Sequence, residues 1–158
     1  MLSVMEVILA LKHTPLFRNV PGEGLRRLSD FIQEKDVQAG EVLFREEDFG
    51  DEMYLVRSGR VSIYQELGEG PALIEVIEPG GYFGEMAIID DLPRTATATA
   101  DADTNLLVLH KNDFRTAVQD YPDIAFEIFR EFTRRLRRAD RRYRELLLEA
   151  RRRGLETR

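Results

Sequence analysis

The sequence predicts a mainly β protein of the α+β class, built as a double-stranded β-helix (jelly roll) with N-terminal helices and a long C-terminal helix. Short β-rich segments separated by Gly and Pro turns fill the middle of the chain, while helical periodicity precedes and follows them. The 158 residues, 43% hydrophobic, suit a domain with a substantial core. We divide the chain into a β-roll with N-terminal helices, residues 1–120, and a C-terminal helical segment, residues 121–158.

Two short helices are expected before the β-rich region. Leu2, Met5 and Leu9 recur at helical spacing and predict a first helix over residues 2–12, which ends before Pro15. A second helix is predicted to begin near Pro21 and to run to about Ile32. Both helices are expected to pack against the segments that follow.

The middle of the chain reads as a series of short strands with Gly- and Pro-containing turns between them. The predicted strands are Glu41–Phe44, Met53–Val56, Val61–Tyr64, Leu73–Ile77, Thr95–Ala100 and Leu106–Leu109. Evenly spaced strands of this kind are typical of an antiparallel sandwich or jelly roll. Residues 84–89 interrupt the series and do not resemble a strand.

Helical periodicity returns after Lys111. A short helix over 113–119 and a break at Pro122 are predicted to precede one long helix over 123–153. Its apolar residues alternate at steps of three and four as a heptad seam: Phe129, Phe132, Leu136, Ala139, Tyr143, Leu146 and Ala150. With Phe129 at position a, Arg135 is a g residue and Asp140 an e residue. These two attract each other across a parallel coil, so we predict a parallel homodimer rather than a helix packed only on its own domain.

Composition argues against several classes of function. The absence of Cys excludes disulfides and thiolate metal sites, and the two histidines, His13 and His110, stand apart in the sequence. No nucleophile–base set or acid–base pair stands out, so we predict no catalytic residues and no metal site. No export signal or apolar span is present, which predicts a cytoplasmic protein without a membrane segment.

Charge is distributed unevenly along the chain. Residues 1–120 carry 11 basic and 22 acidic side chains, whereas residues 121–158 carry 12 and 7. The basic helix would suit a nucleic acid, but its arginines surround most of the circumference, which favours a solvated helix. Only five residues follow Arg153, too few for a helix-turn-helix, so no DNA-binding domain is expected.

The segment over residues 80–97 has the chemistry of an anion site. Its glycines permit close backbone approach, a short helix beginning near Glu85 would present free N–H groups, and Arg94 supplies a planar fork of donors for a phosphate. Glu85 would repel an anion but would accept from a hydroxyl, so a ligand with a phosphate and a sugar hydroxyl fits both side chains. A Glu85–Arg94 salt bridge that closes a turn is the structural alternative.

The run Phe-Gly-Glu-Met-Ala-Ile-Ile at 83–89, followed after three residues by Pro-Arg-Thr-Ala-Thr at 93–97, closely resembles the phosphate-binding cassette of cyclic-nucleotide-binding domains. That family includes catabolite activator proteins, regulatory subunits of cyclic-nucleotide-dependent kinases and cyclic-nucleotide-gated channels. The resemblance covers roughly residues 12–140. Glu47 departs from it, because the family commonly has glycine in that turn.

The resemblance implies cAMP or cGMP as the ligand and assigns a role to several positions. Glu85 would bind the ribose 2′-hydroxyl, Arg94 the exocyclic phosphate oxygens, and Thr95 phosphate or base. The other expected cassette contacts are Phe83, Gly84, Met86, Ala87 and Ala96. The long helix would cap the base near Arg135, Ala139 and Asp140.

The base is left open. A carboxylate at Asp140 would accept from two donors of guanine, and Thr95 would meet the guanine amino group, whereas family usage favours cAMP. Asp140 cannot easily both contact a base and pair with Arg135 of a second helix. We predict a non-enzymatic sensor that moves its C-terminal helix and acts through a protein effector; the alternative is a dimeric interaction module that no longer binds nucleotide.

Overall fold

A computed structural model of the protein describes residues 1–155. Two antiparallel sheets of four strands each form the body, with helices before and after them. The predicted mainly β jelly roll with N-terminal helices and a long C-terminal helix is confirmed. In the described part of the chain, no helix combines the length and apolar character needed to cross a bilayer.

The helices and strands follow one another with short connections. The helices are α1 Val4–His13, α2 Gly22–Ser29, α3 Lys111–Asp120 and α4 Asp123–Arg152. The strands are β1 Gln33–Val37, β2 Val42–Phe44, β3 Glu52–Ser58, β4 Val61–Glu66, β5 Pro71–Ile77, β6 Tyr82–Phe83, β7 Thr97–Ala100 and β8 Thr104–His110. A four-residue 3-10 helix, Glu85–Ile88, follows β6.

The sheets have the orders β1-β8-β3-β6 and β2-β7-β4-β5. Strand β8 lies in the first sheet between β1 and β3, and β7 lies in the second between β2 and β4. Strands β1, β6, β2 and β5 therefore form the edges. Because β6 leads directly into the 3-10 helix, the residues of the expected cassette begin at an edge of the first sheet.

Several predicted ends differ from the structure by one to three residues, and two strands escaped prediction. Helix α2 ends at Ser29 rather than near Ile32, because β1 follows almost at once. Four of the five residues of β1 are exposed, so it lacks the apolar alternation by which strands are recognised; β6 is only two residues long. Strand β7 begins at Thr97 rather than Thr95, because the backbone of Arg94 bonds to Glu47 and Asp48 in a neighbouring turn.

The apolar core has two parts. One lies beneath the helices and includes Phe17, Leu25 and Ile124, all fully buried. The other fills the roll, where Tyr54 stacks on Phe83 with ring centroids 5.0 Å apart. This second cluster supports the inner wall of the cassette.

Helix α4 changes character along its length. Ile124 and Ile128 are buried against the body, and Phe132 is partly buried against the same cluster. Beyond them the apolar seam is exposed within one chain: Leu136 is 71% exposed and Tyr143 62%. The first turns of α4 are therefore anchored on the body, whereas the later turns present an uncovered apolar stripe.

Candidate functional site

A cavity of about 610 Å³ lies between the roll and α4. The roll contributes Phe44 of β2, residues of β4 and β5, and the segments 78–87 and 92–96; α4 contributes Glu131, Arg135 and Arg138, and His13 and Pro15 lie at the margin. Predicted cassette residues that line it are Phe83, Gly84, Glu85, Met86, Ala87, Arg94, Thr95 and Ala96. The fold therefore brings these eight residues and Arg135 to one cavity.

Arg94 is buried in the cavity wall, with 7% of its surface exposed. Its Nη1 donates to the carbonyl oxygen of Gly84 at 3.1 Å and its Nη2 to that of Glu52 at 2.8 Å. The guanidinium lies 4.1 Å from the ring centroid of Phe44. Its Nε is a buried donor for which the described residues supply no acceptor.

Burial lowers the pKa of Arg94, because removing a cation from water disfavours its charged form. Both hydrogen bonds of its guanidinium go to neutral backbone carbonyls, so no carboxylate within residues 1–155 bonds to this charge. A buried cation with an unused donor provides what an anionic group requires. Arg94 can therefore receive a phosphate oxygen.

Gly84 fixes the turn that leads into the 3-10 helix. Its φ of 74° lies in the left-handed region, which glycine occupies without steric penalty. A Cβ at this position would lie 2.8 Å from Nη1 of Arg94. Gly84 is thus required both by the backbone conformation and by the close approach of the arginine.

Glu85 is a buried carboxylate held by the long helix. The side chain is 9% exposed, and its Oε1 accepts a hydrogen bond from Nη1 of Arg135 on α4. The same nitrogen donates to the hydroxyl of Tyr82 at 3.4 Å. The salt bridge considered from the sequence, between Glu85 and Arg94, is not formed, because Glu85 pairs with Arg135 instead.

The Glu85–Arg135 pair joins the cassette to α4 electrostatically. Burial by itself lowers the pKa of Arg135, but the hydrogen bond and charge of Glu85 outweigh it, so the pKa of the guanidinium lies above its ordinary value. Burial also raises the pKa of Tyr82. Arg135 therefore remains charged, and Tyr82 neutral, at physiological pH.

The two other positions expected near the base lie away from the cavity. Asp140 is one turn and a half beyond Arg135, its side chain is 61% exposed, and its ion pair is with Arg144 of the same helix at 3.6 Å. Neither Ala139 nor Asp140 belongs to the cavity lining. A role for Asp140 in reading the base stays a prediction.

Sequence reasoning missed several residues of the cavity, among them Tyr82, Glu131 and Arg138. Glu131 is buried, with 5% of its surface exposed, and its carboxylate lies 3.3 Å from Nη1 of Arg134 and 3.6 Å from Nη2 of Arg138. The signal available was helical spacing, since Glu131 precedes Arg135 by four residues and so shares its face.

Glu47 keeps the turn in which the family commonly has glycine. Its φ of 70° is the only positive value of a non-glycine residue in the described chain. Its N–H donates to the carbonyl oxygen of Arg94 at 2.9 Å. Replacing the family's glycine by Glu47 therefore leaves the left-handed turn in place. A glutamate adopts this backbone conformation at a cost in free energy that glycine does not incur.

His110 is less isolated than the sequence indicates. The side-chain atoms of Asp51, Glu52 and His110 that could coordinate a metal ion lie within 4.8 Å of one another. Glu52 accepts from the hydroxyl of Tyr54 at 2.6 Å and lies 3.3 Å from Nε2 of His110. Glu52 thus contacts Tyr54 and His110 with its side chain and Arg94 with its carbonyl oxygen.

Known proteins are similar to this chain in sequence and in architecture. The sequence model described as "Cyclic nucleotide-binding domain" matches residues 34–121. The chain is 33% identical over 131 residues to the cyclic AMP receptor protein of Thermus thermophilus. The aligned region covers 82% of this chain and 61% of that protein.

Solved structures agree with the sequence match. The catabolite activator protein of Thermus thermophilus aligns with a TM-score of 0.77 at 30% identity, over 90% of this chain and 73% of that one. The regulatory domain of Toxoplasma gondii PKA with cAMP aligns with a TM-score of 0.69 at 29% identity, over 74% and 45% of the two chains. The fold, the cassette and these matches together show that the chain belongs to the cyclic nucleotide-binding domain family.

Proposed function

We propose that this chain binds a cyclic nucleotide, cAMP or cGMP, in the cavity and regulates a protein effector by repositioning α4. It acts in this proposal as a cytoplasmic sensor without enzymatic activity, with residues 1–120 as the binding unit and residues 121–158 as the responding C-terminal segment that contains α4. The observation that carries the proposal is the buried guanidinium of Arg94, to which residues 1–155 supply neither an acceptor for Nε nor a bonded carboxylate.

A cyclic phosphate matches the environment of Arg94. The phosphodiester carries one negative charge, which offsets the buried cation, and its exocyclic oxygens are acceptors for the guanidinium. Ala87 and Ala96 are small and buried beside it, so the ligand meets little steric obstruction there. The phosphate is accordingly assigned to the wall formed by Arg94, Gly84 and the 3-10 helix.

Glu85 supplies the complementary acceptor. A carboxylate binds a hydroxyl donor but repels a phosphate, so the ribose 2′-hydroxyl is its partner in the proposal. Arg135 neutralises Glu85, which reduces the repulsion between this carboxylate and the neighbouring phosphate. The pair Glu85–Arg135 thus lets one cavity accept both the charge and the hydroxyl of the ligand.

The same ion pair supports a route from ligand to helix. Arg135 belongs to α4, whereas Glu85 belongs to the cassette. Any shift of Glu85 on ligand binding therefore alters the ion pair that attaches α4 to the roll. The break at Tyr121–Pro122 between α3 and α4 provides a place where the helix direction can change. Ligand binding would select the helix position that interacts best with the occupied cavity.

The relatives favour cAMP over cGMP as the first ligand to test. The Thermus thermophilus protein is named a cyclic AMP receptor protein, and the Toxoplasma gondii domain was solved with cAMP. This chain spans 61% of the former, so the activity of that whole protein does not transfer with the match. Asp140, the residue that would favour guanine, lies outside the cavity lining.

Isothermal titration of the protein with cAMP and with cGMP tests the proposal. We expect micromolar or tighter binding of at least one of them. We also expect at least about 10-fold weaker binding of the 2′-deoxy form of that nucleotide, because it lacks the hydroxyl that donates to the buried carboxylate of Glu85. Absence of binding to both nucleotides would contradict the proposal and favour the dimeric interaction module.

A parallel homodimer through α4 is part of the proposal. Phe129, Leu136, Tyr143 and Leu146 follow the heptad pattern and are all more than half exposed in one chain. A stripe of large apolar side chains along a helix is costly in water, and a second copy of the same helix covers it symmetrically. The support is the exposure and spacing of these residues.

Leu136→Glu is expected to convert the dimer to a monomer at micromolar concentration, because it places a charge at a seam position in both helices. Leu148→Glu is the matched control. Leu148 is 55% exposed on the same helix but lies outside the seam, so its substitution should leave the dimer intact. Sedimentation velocity distinguishes these outcomes, and equal behaviour of the two variants would count against the seam.

A further inference from the structure

Arg135 lies at the junction between the cavity and the proposed dimer seam. Its neighbour Leu136 is a seam residue, 71% exposed, and Arg135 itself occupies the flanking g position. Its side chain is 39% exposed although it reaches into the cavity to Glu85. One guanidinium therefore faces both the ligand site and the surface that a second copy would cover.

Arg135 uses only part of its hydrogen-bonding capacity in bonds to the described residues 1–155. Its side-chain hydrogen bonds to Glu85 and to Tyr82 are both made through Nη1. A guanidinium has five N–H donors in a rigid planar fork, so Nε and Nη2 are available to a second carboxylate. Bonds to two carboxylates on different edges are compatible with the geometry of the group.

Asp140 is the residue that a parallel second helix brings to Arg135. In a parallel coil, a g residue lies opposite the e residue five positions later on the other helix, and Asp140 holds that e position. Among residues 1–155 of its own chain, Asp140 pairs only with Arg144, and the side chains of Asp140 and Arg144 are 61% and 75% exposed. An exposed ion pair of this kind contributes little stability. Asp140 can therefore exchange Arg144 for Arg135 of a second copy at small cost.

We propose that Asp140 of a second copy binds Arg135 and through it positions Glu85 for the ligand. This inference rests on the proposed function and names the regulation of its site by a second copy. In this network Asp140 of one protomer binds Arg135 of its partner, and that Arg135 binds Glu85 within the partner. Two-fold symmetry forms the network twice in the dimer. Asp140 acts as a positioning residue, because it touches neither ligand nor cavity.

The consequence is reciprocal coupling between dimerisation and ligand affinity. An Arg135 held from both sides fixes the carboxylate of Glu85 before the ligand arrives, so the dimer binds nucleotide more tightly than the monomer. Thermodynamic linkage then requires nucleotide to tighten the dimer by the same factor. We expect a factor of about 5, at the lower end of typical coupling between sites.

Asp140→Asn tests the pair directly in the full chain. Sedimentation equilibrium without nucleotide is expected to show a dimer dissociation constant about 5- to 30-fold higher than that of the unmodified protein, because two partly exposed charge pairs are lost. Arg144→Gln is the control, because it removes the partner of Asp140 within the helix but keeps its carboxylate. Equal weakening in both variants would show that Asp140 acts only in its own helix and would overturn the inference.

Nucleotide titration at protein concentrations below and above the dimer dissociation constant tests the coupling. The affinity of the unmodified protein should rise about 5-fold across this range, and Asp140→Asn should abolish most of that rise, whereas Asp140→Glu should restore it. A changed preference between cAMP and cGMP with unaltered dimer affinity would assign Asp140 to the base and reject the pair. The dimer measurement needs no nucleotide, so failure of ligand binding and failure of this pair are seen separately.

Discussion

Arg94→Gln is expected to weaken cyclic-nucleotide binding by at least about 100-fold, which corresponds to about 3 kcal/mol. The substitution removes the positive charge that faces the ligand phosphate and two of the three nitrogens of the fork. Glutamine retains much of the side-chain length and a neutral donor for one backbone carbonyl. The loss therefore reports mainly on the missing charge.

Isothermal titration measures this loss, and Arg18→Gln provides the control, because Arg18 is exposed and is not part of the cavity lining. A thermal unfolding curve of each variant shows whether the fold is retained, since Arg94 also packs on Phe44. Arg94→Lys should bind with intermediate affinity, because lysine keeps the charge but not the planar fork. Binding of Arg94→Gln within a few-fold of the unmodified protein would remove Arg94 from the ligand site.

Gly84→Ala is expected to lower the free energy of unfolding by about 2–3 kcal/mol and to weaken nucleotide binding at least about 10-fold. The φ of Gly84 is +74°, a conformation that strains alanine. The added Cβ would also lie 2.8 Å from Nη1 of Arg94 and 3.3 Å from the carbonyl oxygen of Glu52. Arg94 must then move away from the position in which it faces the cavity.

Gly68→Ala separates these two causes. Gly68 has a φ of +82°, yet a Cβ there meets nothing within 4 Å. Its substitution should cost only the backbone strain, about 1 kcal/mol, and leave nucleotide affinity unchanged. Chemical denaturation and titration of both variants measure the difference, and identical effects would mean that the contact of Gly84 with Arg94 is unimportant.

The order of the elements followed from local patterns in the sequence. Short runs of consecutive apolar residues between turns identify a strand that is buried on both faces, as at Met53–Val56 in β3 and Leu106–Leu109 in β8. Strand β1 escaped because it is an edge strand with a polar sequence and is held by its backbone pairing with β8. Its existence depends on a partner about 70 residues away, which no local pattern contains.

The cassette was recognisable because its residues are close together in the chain. Glu85 and Arg94 belong to one short segment whose glycines and small side chains carry the resemblance to the family. Their placement at one cavity required only that this segment fold as in its relatives. What pairs with each of them was not deducible, since Arg94 bonds to backbone carbonyls and Glu85 to a residue 50 positions away.

The sequence by itself determined the fold class, the cassette and the heptad stripe, because each is written in local spacing and residue type. Only the tertiary structure decided that Arg135 closes on Glu85, that Tyr82 and Glu131 join the cavity, and that Asp140 stays outside it. The physical reason is that these contacts depend on where α4 crosses the roll. That crossing is set by the packing of Ile124 and Ile128 against the core, a long-range interaction that spacing along the chain does not encode.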